Sequence, residues 1–393
     1  MNIGAQIRKR RQILGLTMQD VVDRVTNHGA SLTKAAISKY ENGKSVPKST
    51  TLRALASALE CSSDYLLSEP RTSIEWLRFR KKTSLTKRLE AEVKETARQW
   101  LEARLVVEEH VGESSPVINL PSVAVADVED AEKVAENLRG RWNIGDWPIE
   151  SISVAMEKSG VDVISVDVDG DLDGLSGIAN REIQFVVVAS GVPVDRLRMN
   201  LAHELGHVVM KPTEDERFDE KVAFRFGAAL IAPRSVVFER IGRSRHTISL
   251  QELLLIKEEY GISIQALIRR CFDLGIISEW SYRQLNISLR SKRWHRDEPG
   301  DCSHLERPFI FEAHLLRCIA EGAVAETEIR TMFPEVAKKI DQLESESMWR
   351  WRGLRSRPEK DRIQVLRQAA EIAITDYSEG GSLADLELID SDQ

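Results

Sequence analysis

The 393-residue chain has only four cysteines, Cys61, Cys271, Cys302 and Cys318, and no two of them form a CxxC pair. Their scarcity and scatter argue against a disulfide framework and for reduced thiols in a cytosol. No apolar run approaches the roughly 20 residues of a membrane-spanning helix, so no membrane partner is expected. The N-terminus, MNIGAQIRKRR, is basic but is not followed by an apolar stretch with a cleavage site, so no secretory signal is expected and the cytoplasm is the expected location. Apolar residues make up 42% and charged residues 30%, a composition that suits a globular protein with true cores. The length suggests two or three domains.

The net charge of −7 is unevenly spread. Residues 1–60 carry ten Lys/Arg against four Asp/Glu, a local +6 that leaves −13 for the remainder. A basic head on an acidic body points to an anionic partner for the head, and double-stranded DNA is the obvious one.

Residues 1–69 read as five short helices. Ile7 and Leu14 give the first an apolar face, Thr17 is placed to cap a second with Val21, Val22 and Val25, and Thr33 starts a third that stops at Gly43. Leu52, Leu55, Ala56 and Leu59 fall in a fourth, and DYLL forms a fifth. The basic first helix, the Thr-capped second helix with Gln19, and the run ISKYENGKSVP resemble the Cro/repressor (XRE) helix-turn-helix family. That resemblance implies a lambda-repressor-like domain whose third helix enters the major groove through Thr33, Lys34, Ala35, Ala36 and Ser38. It also implies phosphate contacts from Gln19, Lys39, Asn42 and Lys44. The turn TNHGASL is longer than the compact turn of the family. Ile37 and Tyr40 read as core.

Residues 70–125 read as a helical connector and linker. From about Lys87 an apolar stripe runs through Leu89, Val93, Ala97, Trp100, Leu101, Leu105 and Val106, fit to pack on the next domain or on a second copy in a homodimer. Arg78, Arg80, Lys81 and Lys82 stand either as flanking DNA contacts or as a solvated basic surface.

The most specific chemistry lies in LRMNLAHELGHVVM. His203 and His207 stand four residues apart, so a helix brings both imidazoles to one face and to one Zn2+ ion. Glu204 is then one position round, placed to take a proton from water. A third ligand has to come from the next helix, DEKVAFRFGAALIAP, where Glu220 competes with Asp219 and Glu216. HELGH followed by ExxAxxFGAALIAP resembles the ImmA/IrrE metallopeptidase family. That resemblance implies His203, His207 and Glu220 as ligands and Glu204 as catalytic base, in a zincin-like α+β domain with a small sheet over residues 126–300. His246 and Tyr260 are candidates for the donor that a negative oxygen needs, set against ordinary surface or core roles.

Residues 301–393 read as a helical C-terminal region with an acidic tail. Cys302, His304, His314 and Cys318 could be gathered as a small metal site, although Cys318 sits in an ordinary core context. Trp294, Trp349 and Trp351 beside arginines read as packed aromatics at least as well as nucleic-acid contacts. The whole is expected to be a mostly helical α+β protein. Its expected function is that of a sequence-specific transcriptional regulator carrying a zinc metallo-endopeptidase-type domain, acting on a repressor or on itself. The alternative is an antitoxin-like DNA binder whose zinc domain is a non-catalytic sensor or scaffold.

Overall fold

The computed structural model describes residues 3–68, 72–79, 87–111, 120–168, 172–295, 297–300, 302, 304 and 306–342. The readings made for Arg80, Lys81, Lys82, Trp349, Trp351 and the acidic tail lie outside them. The chain divides into two compact units, Met1–Val336 and Ala337–Gln393. What is described of the second unit is helical.

The first unit opens with five helices, α1 (Ile3–Ile13), α2 (Met18–Asn27), α3 (Lys34–Glu41), α4 (Ser49–Ala58) and α5 (Ser63–Leu67). Thr17, Thr33 and Ser62 each accept a hydrogen bond from a first-turn amide, which defines the starts of α2, α3 and α5. Ile7, Val21, Val25, Ile37, Leu55 and Leu66 are fully buried between them. Gly4 is required here: a Cβ on it would meet the Tyr40 carbonyl oxygen at 2.0 Å, so α1 and α3 touch backbone to backbone.

The helix expected from about Lys87 is there, and a strand not expected from the sequence precedes it. Ile74–Phe79 forms strand β1, and α6 (Lys87–Val111) follows it. The stripe on α6 is buried at Val93, Ala97, Trp100 and Leu101. α6 packs on α1 and touches the domain beyond. Glu95, also buried, receives Lys9, the Tyr65 hydroxyl and Arg98, so a shared carboxylate ties the five-helix bundle to the connector. Arg104 pairs with Asp162 at the far end of α6.

Next come α7 (Asp130–Arg141), α8 (Ile152–Lys158), β2 (Val161–Val166), β3 (Leu175–Ala179) and β4 (Ile183–Ala189). The sheet order is β1-β3-β4-β2, with β2 parallel to β4 and the other pairs antiparallel. β4 is central and buried along its whole length, which explains the apolar run Phe185–Ala189; its one polar side chain, Gln184, is satisfied by the Leu120 backbone. β3 and β4 are joined through Asn180 (φ 50°), Arg181 (φ 64°) and Glu182, whose amide donates to the Ala179 carbonyl, and the two left-handed residues give a twist that suits a hairpin.

The remainder is helical: α9 (Val194–Val209), α10 (Glu216–Ile231), α11 (Arg234–Ile241), α12 (Leu250–Tyr260), α13 (Ile264–Asp273), α14 (Glu279–Ser291), α15 (Ile310–Ala320) and α16 (Glu326–Met332). Glu306 straps the C-terminal part to the sheet domain. It accepts the Ile152 and Ser153 amides at the start of α8 and pairs at 2.5 Å with the fully buried Arg198 of α9. No helix among the described residues is long and apolar enough to cross a membrane.

Candidate metal centre and DNA-binding face

α9 enters the core between the sheet and α10, so His203, Glu204 and His207 are nearly sealed from solvent. Two glycines allow the approach. A Cβ on Gly206 would stand 3.2 Å from the Ala223 Cα, and one on Gly227 would stand 3.1 Å from the His203 backbone nitrogen. With both positions bare, α9 and α10 lie close enough for the first turns of α10 to reach the two imidazoles.

The Nε2 atoms of His203 and His207 are 3.2 Å apart. Glu220 Oε2 lies 3.4 Å from His203 Nε2, and Glu220 Oε1 lies 3.4 Å from His207 Nε2. Donors about 2.0–2.1 Å from a tetrahedral zinc stand roughly 3.3–3.4 Å from one another, so this triangle has the size the ion requires. The His203 Nδ1 and Glu204 Oε2 atoms are buried without a hydrogen-bond partner, a cost borne where chemistry needs it. The donor set thus fits zinc in both size and ligand chemistry.

Of the rivals to Glu220, Asp219 is committed elsewhere: it accepts the Thr213 amide at 3.0 Å and the Thr213 hydroxyl at 2.7 Å. Glu216 is exposed at the start of α10. Burial works to raise the Glu220 carboxyl, but hydrogen bonds and charge from His203 and His207 outweigh it and hold the group well below the usual carboxylate range. Glu204 behaves oppositely. Burial pushes its carboxyl up, and the two histidines and the Ser176 hydroxyl offset only part of this.

Several residues of the site escaped the sequence reading. A Cβ on Gly174 would meet the Glu204 Cγ at 2.5 Å, so the residue before β3 must be bare for Glu204 to lie where it does. A cavity of about 910 Å³ opens beside His203 and Glu220, lined among others by Asp173, Arg196, Asn200, Phe224, Arg225 and Trp294. Asn200 was within reach of helical arithmetic, since it precedes His203 by three residues on the same face. Phe224 stands edge-on to His203 at 5.6 Å. The suggested oxyanion donors are not at the site. The Tyr260 hydroxyl donates to the Asp146 carbonyl, and His246 is exposed elsewhere, its carbonyl accepting from Ser281. Cys302 and His304 approach each other at 3.4 Å, while Cys318 is buried on α15. Among the described residues, His203, His207 and Glu220 are the set of three donors that converge as a metal site would.

In the five-helix bundle, α3 presents Lys34, Ala35 and Lys39 to solvent, with Ala36 and Ser38 partly covered. Thr33 is exposed too, although its hydroxyl accepts the Ala36 amide as a cap. Asn42 bridges inward: its Nδ2 donates to the Ser38 carbonyl and its Oδ1 accepts from Arg8. Lys44 is exposed, and Gln19, exposed on α2, donates to Asp23.

Residues 7–66 match the helix-turn-helix family model, and residues 156–272 match the model of the IrrE N-terminal-like domain, a peptidase family. The chain joins a DNA-binding helix-turn-helix domain to an IrrE-like domain. No curated protein matches it. The helix-turn-helix match takes in most of α1 and the bundle after it. The IrrE-like match runs from α8 into α13 and contains His203, Glu204, His207 and Glu220. β1, α6 and α7 lie between the two matched stretches.

Proposed function

We propose that this protein is a cytoplasmic transcriptional regulator whose IrrE-like domain is a zinc-dependent endopeptidase acting on a repressor-type protein. The observation that carries the reading is the triangle of His203, His207 and Glu220 donors with the buried, unpartnered oxygen of Glu204 beside it. The proposed division of labour follows the chain: residues 1–69 bind DNA, 70–125 connect, 126–300 hold the peptidase site, and 301–393 form a C-terminal region.

His203, His207 and Glu220 would hold the ion. A zinc ion bound there supplies Lewis acidity, polarising a peptide carbonyl and making water acidic near neutral pH. Glu204, its carboxyl raised by burial, accepts the proton of the attacking water at Oε2 and returns it to the leaving amine. Burial of the site keeps bulk water from that proton. The 910 Å³ cavity leaves room for substrate on the His203 side.

On DNA, Thr33, Lys34, Ala35, Ala36 and Ser38 face the bases, and Gln19, Lys39, Asn42 and Lys44 face phosphates. A homodimer would read paired half-sites. The test is co-expression with a helix-turn-helix repressor, followed by intact mass. Cleavage that is lost in Glu204→Gln while zinc content stays normal supports the reading. Regulation that continues unchanged in Glu204→Gln contradicts it and assigns the domain to sensing or scaffolding.

A further inference from the structure

β3 is the strand that borders the metal donors. Its lead-in residue Gly174 lies against Glu204, and Asp173 lines the cavity together with His203 and Glu220. One edge of β3 is paired with β4. The other edge is where an extended peptide would add as one more strand, its backbone bonding to β3 and its side chains falling into the pockets on either side.

In this chain that edge is already taken. β1 comes from the stretch between the helix-turn-helix and IrrE-like matches, and it runs antiparallel to β3 from Ile74 opposite Ala179 to Phe79 opposite Leu175. Its C-terminal end therefore heads toward Gly174 and Glu204. The register is broken between Trp76 and Arg78, as at a β-bulge, which re-aims the side chain at the break. Leu77, at that break, lines a small pocket with Gly206, His207 and Met210. Trp76 stands edge-on to Phe185 at 5.3 Å. Gly177, its partner on β3, has no room for a side chain, since a Cβ would come within 2.9 Å of the Glu75 carbonyl oxygen.

β1 is also the least anchored strand. Every residue of β4 is buried, whereas Ile74, Trp76 and Leu77 are only partly covered and Glu75 is exposed. β1 is held by one bulged ladder, the edge of Trp76 on Phe185 and the packing of Leu77 against the core.

We propose that β1 is the resident occupant of the peptide-binding edge: a strand of the inter-domain connector that lies along β3 where a peptide substrate binds and that any other peptide must displace. The ligand class is an extended peptide that offers an aromatic residue and then an aliphatic one, as Trp76 and Leu77 do. The inference rests on the peptidase reading for the purpose of the groove, but binding alone can test it.

The experiment uses the full chain, zinc-loaded, with Glu204→Gln so that nothing is turned over, and a labelled peptide of sequence SIEWLRF (residues 73–79). Trp76→Gly with Leu77→Ser, which loosens β1, is expected to bind the peptide at least tenfold more tightly than the parent. Hydrogen exchange at Ser176–Ala179 should accelerate without the peptide and slow again with it. Leu77→Ala alone should give a smaller gain of about threefold, and it serves if the double variant does not fold. Equal binding by parent and variants, or no binding by any of them, overturns the proposal. If the peptide binds as expected but the Glu204 protein cuts no peptide, the occupancy stands and the catalytic reading falls.

Discussion

The backbone of Gly227 faces the backbone nitrogen of His203 so closely that a methyl group placed there would stand 3.1 Å from it, with the Ala202 carbonyl carbon at 3.3 Å. The groups it would meet are largely main chain, which cannot swing aside, so α10 has to shift away from α9. Gly227→Ala is therefore expected to cost about 1–3 kcal/mol of stability, as overpacked cores do. Because the shift moves Glu220 relative to the imidazoles, zinc affinity should fall as well. Urea unfolding and metal titration of the same variant check both. A variant as stable and as zinc-avid as the parent would show that the close helix crossing does not set the ligand geometry.

On the DNA side, Lys34 and Lys39 are exposed on α3, and the Ser38 side chain makes only a long contact of 3.4 Å with Asn42. Lys34→Ala with Ser38→Ala should leave the fold intact and weaken operator binding by about tenfold or more, the worth of roughly 1–3 kcal/mol of base readout. Lys39→Ala should weaken binding to all sequences alike and lower the salt-dependence slope by about 1. Gel-shift titrations across a salt series separate the two. Unchanged operator affinity in the double variant would mean that α3 does not read the bases through these residues.

Glu157 gives a pH signature away from the metal. Burial pushes its carboxyl from 4.5 up to about 7; Asp162 and Glu312 add to this, and the Phe309 and Ile310 amides only partly oppose it. A raised acid holds its proton longer folded than unfolded, so its contribution is complete below about 4.5 and is lost as pH rises toward 7. The stability difference between the parent and Glu157→Gln should drift by roughly 1–3 kcal/mol against the parent between pH 4.5 and pH 7.5. Urea titrations at stepped pH measure it. A pH-independent difference would place the Glu157 carboxyl in the ordinary range.

The parts that were legible beforehand are those in which local spacing decides the outcome. Thr17 and Thr33 cap their helices because a cap acts within a few residues, and His203 and His207 share a face because a helix repeats near four. β1 was missed because its run, IEWLRF, lies beside basic residues and owes its strand state to pairing with β3, about a hundred residues later in the chain. The same holds for Gly174 against Glu204 and for Glu306 on Arg198, which are contacts between distant segments with no local signature. Tyr260 looked available as a donor only because its bond to the Asp146 carbonyl cannot be read from the sequence.

The most direct measurement is zinc content per chain, by metal analysis of purified protein. About one zinc per chain is expected for the parent and for Glu204→Gln, and less than half of that for His203→Ala. Normal zinc content in His203→Ala would contradict the shared site of His203, His207 and Glu220.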